Sequence, residues 1–222
     1  CPTAQAYEDR IKKLTTDYKS KGVAVVAISP NDPEAVRLDE LGYSDMGDTF
    51  EEMKIRVKDK GYNFPYLYDG ETQAVTIAYG AVATPHLFIF DNQRKLRYAG
   101  RFDDSEKKPK QVKSSDAINA IEAILAGKKV PVEKTMAFGC SVKWASKRES
   151  AKAALVSWAR EKVAVTAINA KDVSELVKND TAKLRLINIW ATWSQPSVEQ
   201  TEQFVIMNRM YRRRDFELVT IS

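Results

Sequence analysis

The chain has 222 residues, 44% of them hydrophobic and 29% charged, with a formal net charge of +5. That length allows one large domain or two small ones, each with a real core, while no apolar run approaches the ~20 residues of a membrane span. One histidine and two cysteines exclude Cys/His zinc clusters, multi-histidine metal centres and a disulfide scaffold.

The N-terminal stretch opens with Cys1 and Pro2. Tyr7, Ile11, Leu14 and Tyr18 then recur at helical spacing, Pro2 suits the first helical position, and Gly22 suits the stop. The continuous apolar run 23–28 predicts a strand buried on both faces. A polar loop follows, then a helix over 49–60, a short strand "PYLYD", a helix over 72–79 and the strand "HLFIF". "DNQRK" predicts a hairpin turn into a strand over 96–101. The next helix, capped by Ser115 or Asp116, sets Ile118, Ile121 and Leu125 on one face. Alternating elements closed by a hairpin predict a mixed sheet flanked by helices. Residues 147–170 have the composition of a linker. Beyond it come a helix over 172–178, a strand "LRLINIWA", the motif Trp193-Ser194-Gln195-Pro196-Ser197, a helix over 198–213 and a strand "FELVTIS".

The same strand-turn-helix-strand unit therefore occurs twice, in different states of completeness, and the chain has the pattern of a trimmed fragment. A first unit lacking its central strand is expected to carry unpaired backbone edges. The expected boundaries are 1–146, a linker 147–170, and 171–222. The basic clusters 107–113 and 212–214 lack interleaved aromatics and read as solvated faces, so nucleic acid is not an expected partner. A serine hydrolase would have to use His86, and no GxSxG turn accompanies it. No secretory signal is visible, which leaves a mature, trimmed or cytosolic chain.

Cys1 precedes a helix, where unpaired N–H groups and the helix dipole stabilise a thiolate and lower its pKa from ~8.5. Two other readings stand beside that one: a small buried hydrophobe, or the first mature residue of a lipoprotein. The Thr84-Pro85 bond, between an alanine-rich loop and a strand, is a candidate cis bond. His86 faces either Cys1 or the sheet. Cys140, in "FGCSVKW", is either a resolving partner, which needs its Cα within about 7 Å of Cys1, or an inert structural thiol.

Taken in order, "CPTAQAYEDRI", "YKSKGVAVVAIS", "FPYLYDGETQAVTIAYGAVATPHLFIFD", "LRYAGRFDD" and "FGCSVKW" resemble the bacterial redoxins, relatives of the alkyl hydroperoxide reductase and thiol-specific antioxidant group. "LINIWATWSQPSVEQ" looks like the opening of a second thioredoxin-like domain, of the thiol-disulfide interchange type. The resemblance implies a thioredoxin-like α/β fold with a second, incomplete unit, a cis proline at Pro85, and Cys1 at the head of the active-site helix. It also implies a redox role for Cys140 and a substrate-polarising role for Arg101. A protein disulfide or peroxide is the implied substrate and a thiol the electron donor, with no cofactor. Ser194 and Ser197 stand where the second unit's cysteines belong. Serine is too weak an acid to act unassisted and cannot form a disulfide, so that unit reads as redox-silent. The competing reading is a tandem binding scaffold without catalysis. Disulfide chemistry of this kind favours a periplasmic or other extracytoplasmic location.

Overall fold

The structure, a computed structural model, describes residues 1–43 and 47–222; residues 44–46 of the polar loop lie outside them. In chain order the elements are α1 (Pro2–Lys19), β1 (Ala27–Ser29), α2 (Leu38–Leu41), α3 (Phe50–Lys60), β2 (Tyr66–Tyr68), α4 (Ala74–Tyr79), β3 (Leu87–Phe90), β4 (Leu96–Gly100) and α5 (Asp116–Leu125). They continue as α6 (Arg148–Ala159), α7 (Ala170–Lys178), β5 (Leu184–Ile189), α8 (Gln195–Tyr211) and β6 (Phe216–Ile221). Two compact units emerge: the first comprises Cys1–Ala35 and Met46–Arg148, the second Val36–Asp45 and Glu149–Ser222.

In the first unit, α1 buries Tyr7, Leu14 and Tyr18 against Phe102, Ala117 and Ile121, with Ile11 packed alongside. Burying one such large side chain stabilises the fold by roughly 1.5–3 kcal/mol, so this stripe is the main reason α1 is held. Helix α3 begins at a capping box in which the Thr49 hydroxyl accepts from the Glu52 N–H and the Glu52 carboxylate accepts from the Thr49 N–H. It ends at Gly61 in the left-handed conformation (φ 57°), where a glycine carries no steric cost.

The apolar run 23–28 departs from expectation. Only Ala27–Ser29 forms a strand, parallel to β2, and exposure alternates along it, with Val26 more than half exposed. Strand β3 pairs antiparallel with β4. The β1–β2 and β3–β4 pairs remain separate two-stranded sheets. Both orientations needed for a mixed sheet are present, but no strand among the described residues supplies a ladder between the pairs.

Helix α5 also differs. Its inward face is Ala117, Ala120 and Ile121, continued by Ile124. Leu125, one step further round, is 42% exposed, whereas Ile118 still packs on the core. After α5 the chain runs beside β4, with the Ala99 N–H donating to Glu133 O and the Thr135 N–H to Ala99 O.

In the second unit, β5 and β6 pair in parallel from Leu184–Phe216 to Ile189–Ile221. The segment expected to be a linker contains α6, twelve residues long. Ala151, Ala154, Leu155 and Trp158 of that helix share one face, but only Ala151 is buried. The basic run 212–214 is not a free solvated face. Arg212 pairs with Glu161 and Arg213 with the fully buried Asp39, while the Arg214 guanidinium lies over the Tyr43 ring.

Candidate active site

Cys1 is the N-cap of α1: its carbonyl accepts from the Gln5 N–H, and Pro2 occupies the first helical position. The first turn leaves backbone N–H groups without helical partners, and the Cys1 side chain stands beside them. Its thiol donates to Thr84 O at 3.3 Å. That bond stabilises the protonated sulfur and opposes the dipole, which favours the thiolate.

Thr84 lies in the loop between α4 and β3, and the Thr84–Pro85 peptide is cis. Its backbone forms an antiparallel bridge with Cys140: the Cys140 N–H donates to Thr84 O at 3.0 Å and the Thr84 N–H to Cys140 O at 2.9 Å. The Thr84 hydroxyl also donates to Cys140 O at 3.2 Å. One carbonyl oxygen thus accepts from both the Cys1 sulfur and the Cys140 amide. Those two atoms can be no further apart than the two bonds laid end to end, 3.3 and 3.0 Å. Thr3, in the first turn of α1, reaches the Cys140 sulfur at 3.9 Å through its hydroxyl. Both cysteines are free and half-buried.

His86 follows the cis bond but has other company. Its Nδ1 accepts from the Val82 N–H at 3.4 Å, and its ring packs 4.3 Å from that of Phe88. Burial, reinforced by the charge of Lys134, lowers its pKa below the ordinary 6.5. Arg101 donates through Nε to Asp116 at 2.6 Å, and its N–H donates to the Thr135 hydroxyl. The structure therefore gathers Cys1, Thr84, Pro85 and Cys140, and gives His86 and Arg101 different partners.

Sequence reasoning missed the groups that hold the Cys140 segment in place. Gln73, buried and in the left-handed conformation (φ 57°), donates through Nε2 to Pro30 O at 2.6 Å and Lys143 O at 2.9 Å. Its Oε1 accepts from the Ala145 N–H at 2.9 Å. Asn31 Oδ1 accepts from the Lys143 N–H at 3.0 Å. Nothing local marks these polar residues, because those partners are 43 to 112 positions away; a non-glycine residue with positive φ is visible only in the structure.

In the second unit, Ser194 caps α8 and its hydroxyl lies 2.9 Å from that of Ser197. Pro196 falls in the first turn, Gln195 bonds Glu199, and Trp193 is 87% exposed. Helix α8 starts three residues earlier than expected and so takes in Gln195, Pro196 and Ser197, with Ser194 as its cap.

No curated protein matches the chain. Solved crystal structures do, among them the following two. A hypothetical protein from Sinorhizobium meliloti is 37% identical, with a TM-score of 0.57, over 66% of this chain and 75% of that one. An uncharacterized conserved protein from Geobacillus kaustophilus is 39% identical, with a TM-score of 0.56, over 65% and 71%. The AhpC/TSA family matches residues 1–99, the stretch that carries Cys1, the cis proline and both sheets of the first unit. With that match and these relatives, the chain belongs to the AhpC/TSA family, whose chemistry is redox work on thiols or peroxides in general.

Proposed function

We propose that the chain is a thiol-dependent oxidoreductase in which Cys1 is the nucleophile and Cys140 the resolving thiol. The observation that carries this reading is the Thr84 carbonyl, which accepts from both residues. The N-terminus of α1 adds about +0.5 charge beside Cys1, which favours its ionised form.

With a peroxide, the Cys1 thiolate attacks one oxygen. The S–O bond forms as the O–O bond breaks, and the departing oxygen takes up a proton to leave as water or an alcohol. Cys140 then attacks the sulfenic sulfur; the S–S bond forms, the S–O bond breaks, and water leaves. Two external thiols restore the pair by exchange and are themselves oxidised to a disulfide. With a protein disulfide as substrate, the same sulfurs work through a mixed disulfide. Thr84 and Pro85 border the reacting sulfur. Arg101, paired with Asp116, stands outside the reaction. The second unit is a redox-silent thioredoxin-like partner in tandem, and the chemistry suits an extracytoplasmic compartment such as a periplasm.

A second reading, a binding scaffold without catalysis, is favoured by the bond that the Cys1 thiol donates to Thr84 O, since deprotonation forfeits it. The rate of Cys1 alkylation against pH, resolved from Cys140 by peptide mass spectrometry, separates the two. An apparent pKa well below ~8.5 is the expected result. A Cys1 that reacts slowly at every pH leaves only the scaffold.

A further inference from the structure

We propose that Gln73 is a positioning residue for Cys140, holding it at the distance from Cys1 that the resolving step requires. The inference rests on the thiol reaction just described and names a residue that reaction does not use.

The segment following Cys140 is gripped through its main chain. Gln73 takes three of its four amide hydrogen-bonding sites to backbone atoms: Nε2 to Pro30 O and Lys143 O, and Oε1 from the Ala145 N–H. Asn31 accepts from the Lys143 N–H, and the Asp32 N–H donates to Lys143 O. Further on, Arg148 Nε donates to Asp32 Oδ2 at 2.5 Å. Gln73 is 3% exposed and caps α4 with a left-handed backbone. A glycine would adopt that conformation without steric cost; the glutamine instead supplies an amide that bridges two loops and the Cys140 segment.

This clasp begins three residues beyond Cys140, and the Thr84 bridge holds Cys140 itself. The bridge fixes Cys140 and the clasp fixes the chain that follows it, so together they limit where the Cys140 sulfur can travel. The rate and equilibrium of Cys1–Cys140 disulfide formation depend on the effective concentration of one sulfur at the other. Loosening the clasp lowers that concentration without changing the helix terminus that governs Cys1.

The test equilibrates the full chain with glutathione and glutathione disulfide. Each turnover oxidises the two thiols to one disulfide and reduces glutathione disulfide to two glutathiones. The fraction bridged is read by mass spectrometry for the unmodified chain, Gln73→Ala, Asn31→Ala and the core truncation Ile121→Ala, together with the Cys1 alkylation rate of each. A fall of at least about tenfold in the equilibrium constant, about 30 mV, is expected in Gln73→Ala. Asn31→Ala is expected to fall less, and Cys1 alkylation to stay unchanged in both. Asn31→Ala, which removes a single acceptor from the clasp, carries the test if Gln73→Ala does not fold. A disulfide equally stable in the clasp variants and the unmodified chain overturns the role of Gln73 and leaves the reaction standing. An equal loss in Ile121→Ala also overturns it, by reducing the effect to general stability. An unmodified chain that forms no Cys1–Cys140 disulfide overturns the resolving step itself, and the clasp's role falls with it.

Discussion

Gly139 lies so close to Thr84 that a methyl group on its α-carbon would come within 2.0 Å of the Thr84 carbonyl oxygen. That contact is with backbone, which has nowhere to move while the bridge to Cys140 persists. Gly139→Ala is therefore expected to open the bridge and cost about 2 kcal/mol, the worth of two backbone hydrogen bonds. Urea unfolding measures the loss, and faster alkylation of Cys140 should accompany it. An unchanged midpoint and an unchanged Cys140 rate would show that the bridge survives.

The roles proposed for the two cysteines can be separated by mutation. Cys1→Ser is expected to abolish peroxide consumption. Cys140→Ser is expected to leave the first step intact and let a Cys1 sulfenic acid accumulate, detectable with a dimedone-type trap. Sulfenic acid trapped on Cys140 in the Cys1→Ser protein, with peroxide still consumed, would reverse the assignment.

Burial and the charge of Lys134 lower the pKa of His86, and its ring contacts are with Val82 and Phe88, so His86 is not expected to support a Cys1 thiolate. His86→Phe should leave the pH profile of Cys1 alkylation unmoved; a profile shifted to higher pH would give His86 the role that its neighbour contacts do not. The linkage has a definite sign. Because the folded pKa lies below 6.5, the unfolded chain takes up the proton first, and the stability supplied by neutral His86 is lost as pH falls below that value.

At the alkaline end the tyrosines decide. The Tyr18 hydroxyl donates to Glu122 Oε1 at 2.6 Å; that hydrogen bond, then burial, raises its pKa from 10.0 to about 12. Burial, seconded by Asp103 at Tyr7 and by Glu8 at Tyr62, raises those two further. The folded state keeps these protons after the unfolded chain has lost them. Stability should therefore be flat up to about pH 10 and fall above it, with a shallower fall in Tyr18→Phe. Denaturation midpoints read beside phenolate absorbance check this; identical slopes in the two proteins would deny Tyr18 a share.

Ser194 and Ser197 supply a constructive test. Their hydroxyls are 2.9 Å apart at the head of α8, so sulfurs at those positions fall within reach of disulfide geometry. The double variant Ser194→Cys with Ser197→Cys should oxidise spontaneously and lose two titratable thiols. Persistence of both as free thiols under glutathione disulfide would remove the parallel with a dithiol motif.

Local chemistry explains which parts of the fold were legible in the sequence. The repeat of Tyr7, Leu14 and Tyr18 announces α1 because one stripe faces one core, and Thr49 with Glu52 marks the start of α3 by a short-range hydrogen-bond exchange. The run 23–28 misleads because an apolar composition records burial only where a neighbouring strand is present to bury it. Helix α6 escapes the sequence reading although Ala151, Ala154, Leu155 and Trp158 recur at helical spacing, because its weakly buried face lies in a segment that reads as a linker. At the site, Cys1 and Pro85 stand out through helix-head chemistry and loop position. The shared Thr84 carbonyl and the Gln73 clasp do not, because main-chain partners leave no residue type behind.

That last property has a practical side. Gln73 and Asn31 hold Lys143 and Ala145 through their peptide atoms, so the side chain at Ala145 takes no part in that hold. A fluorophore or spin label introduced at Ala145 would ride on a fixed stretch of backbone close to Cys140 in the chain, a place from which to watch for the proposed change in the two cysteines' oxidation state.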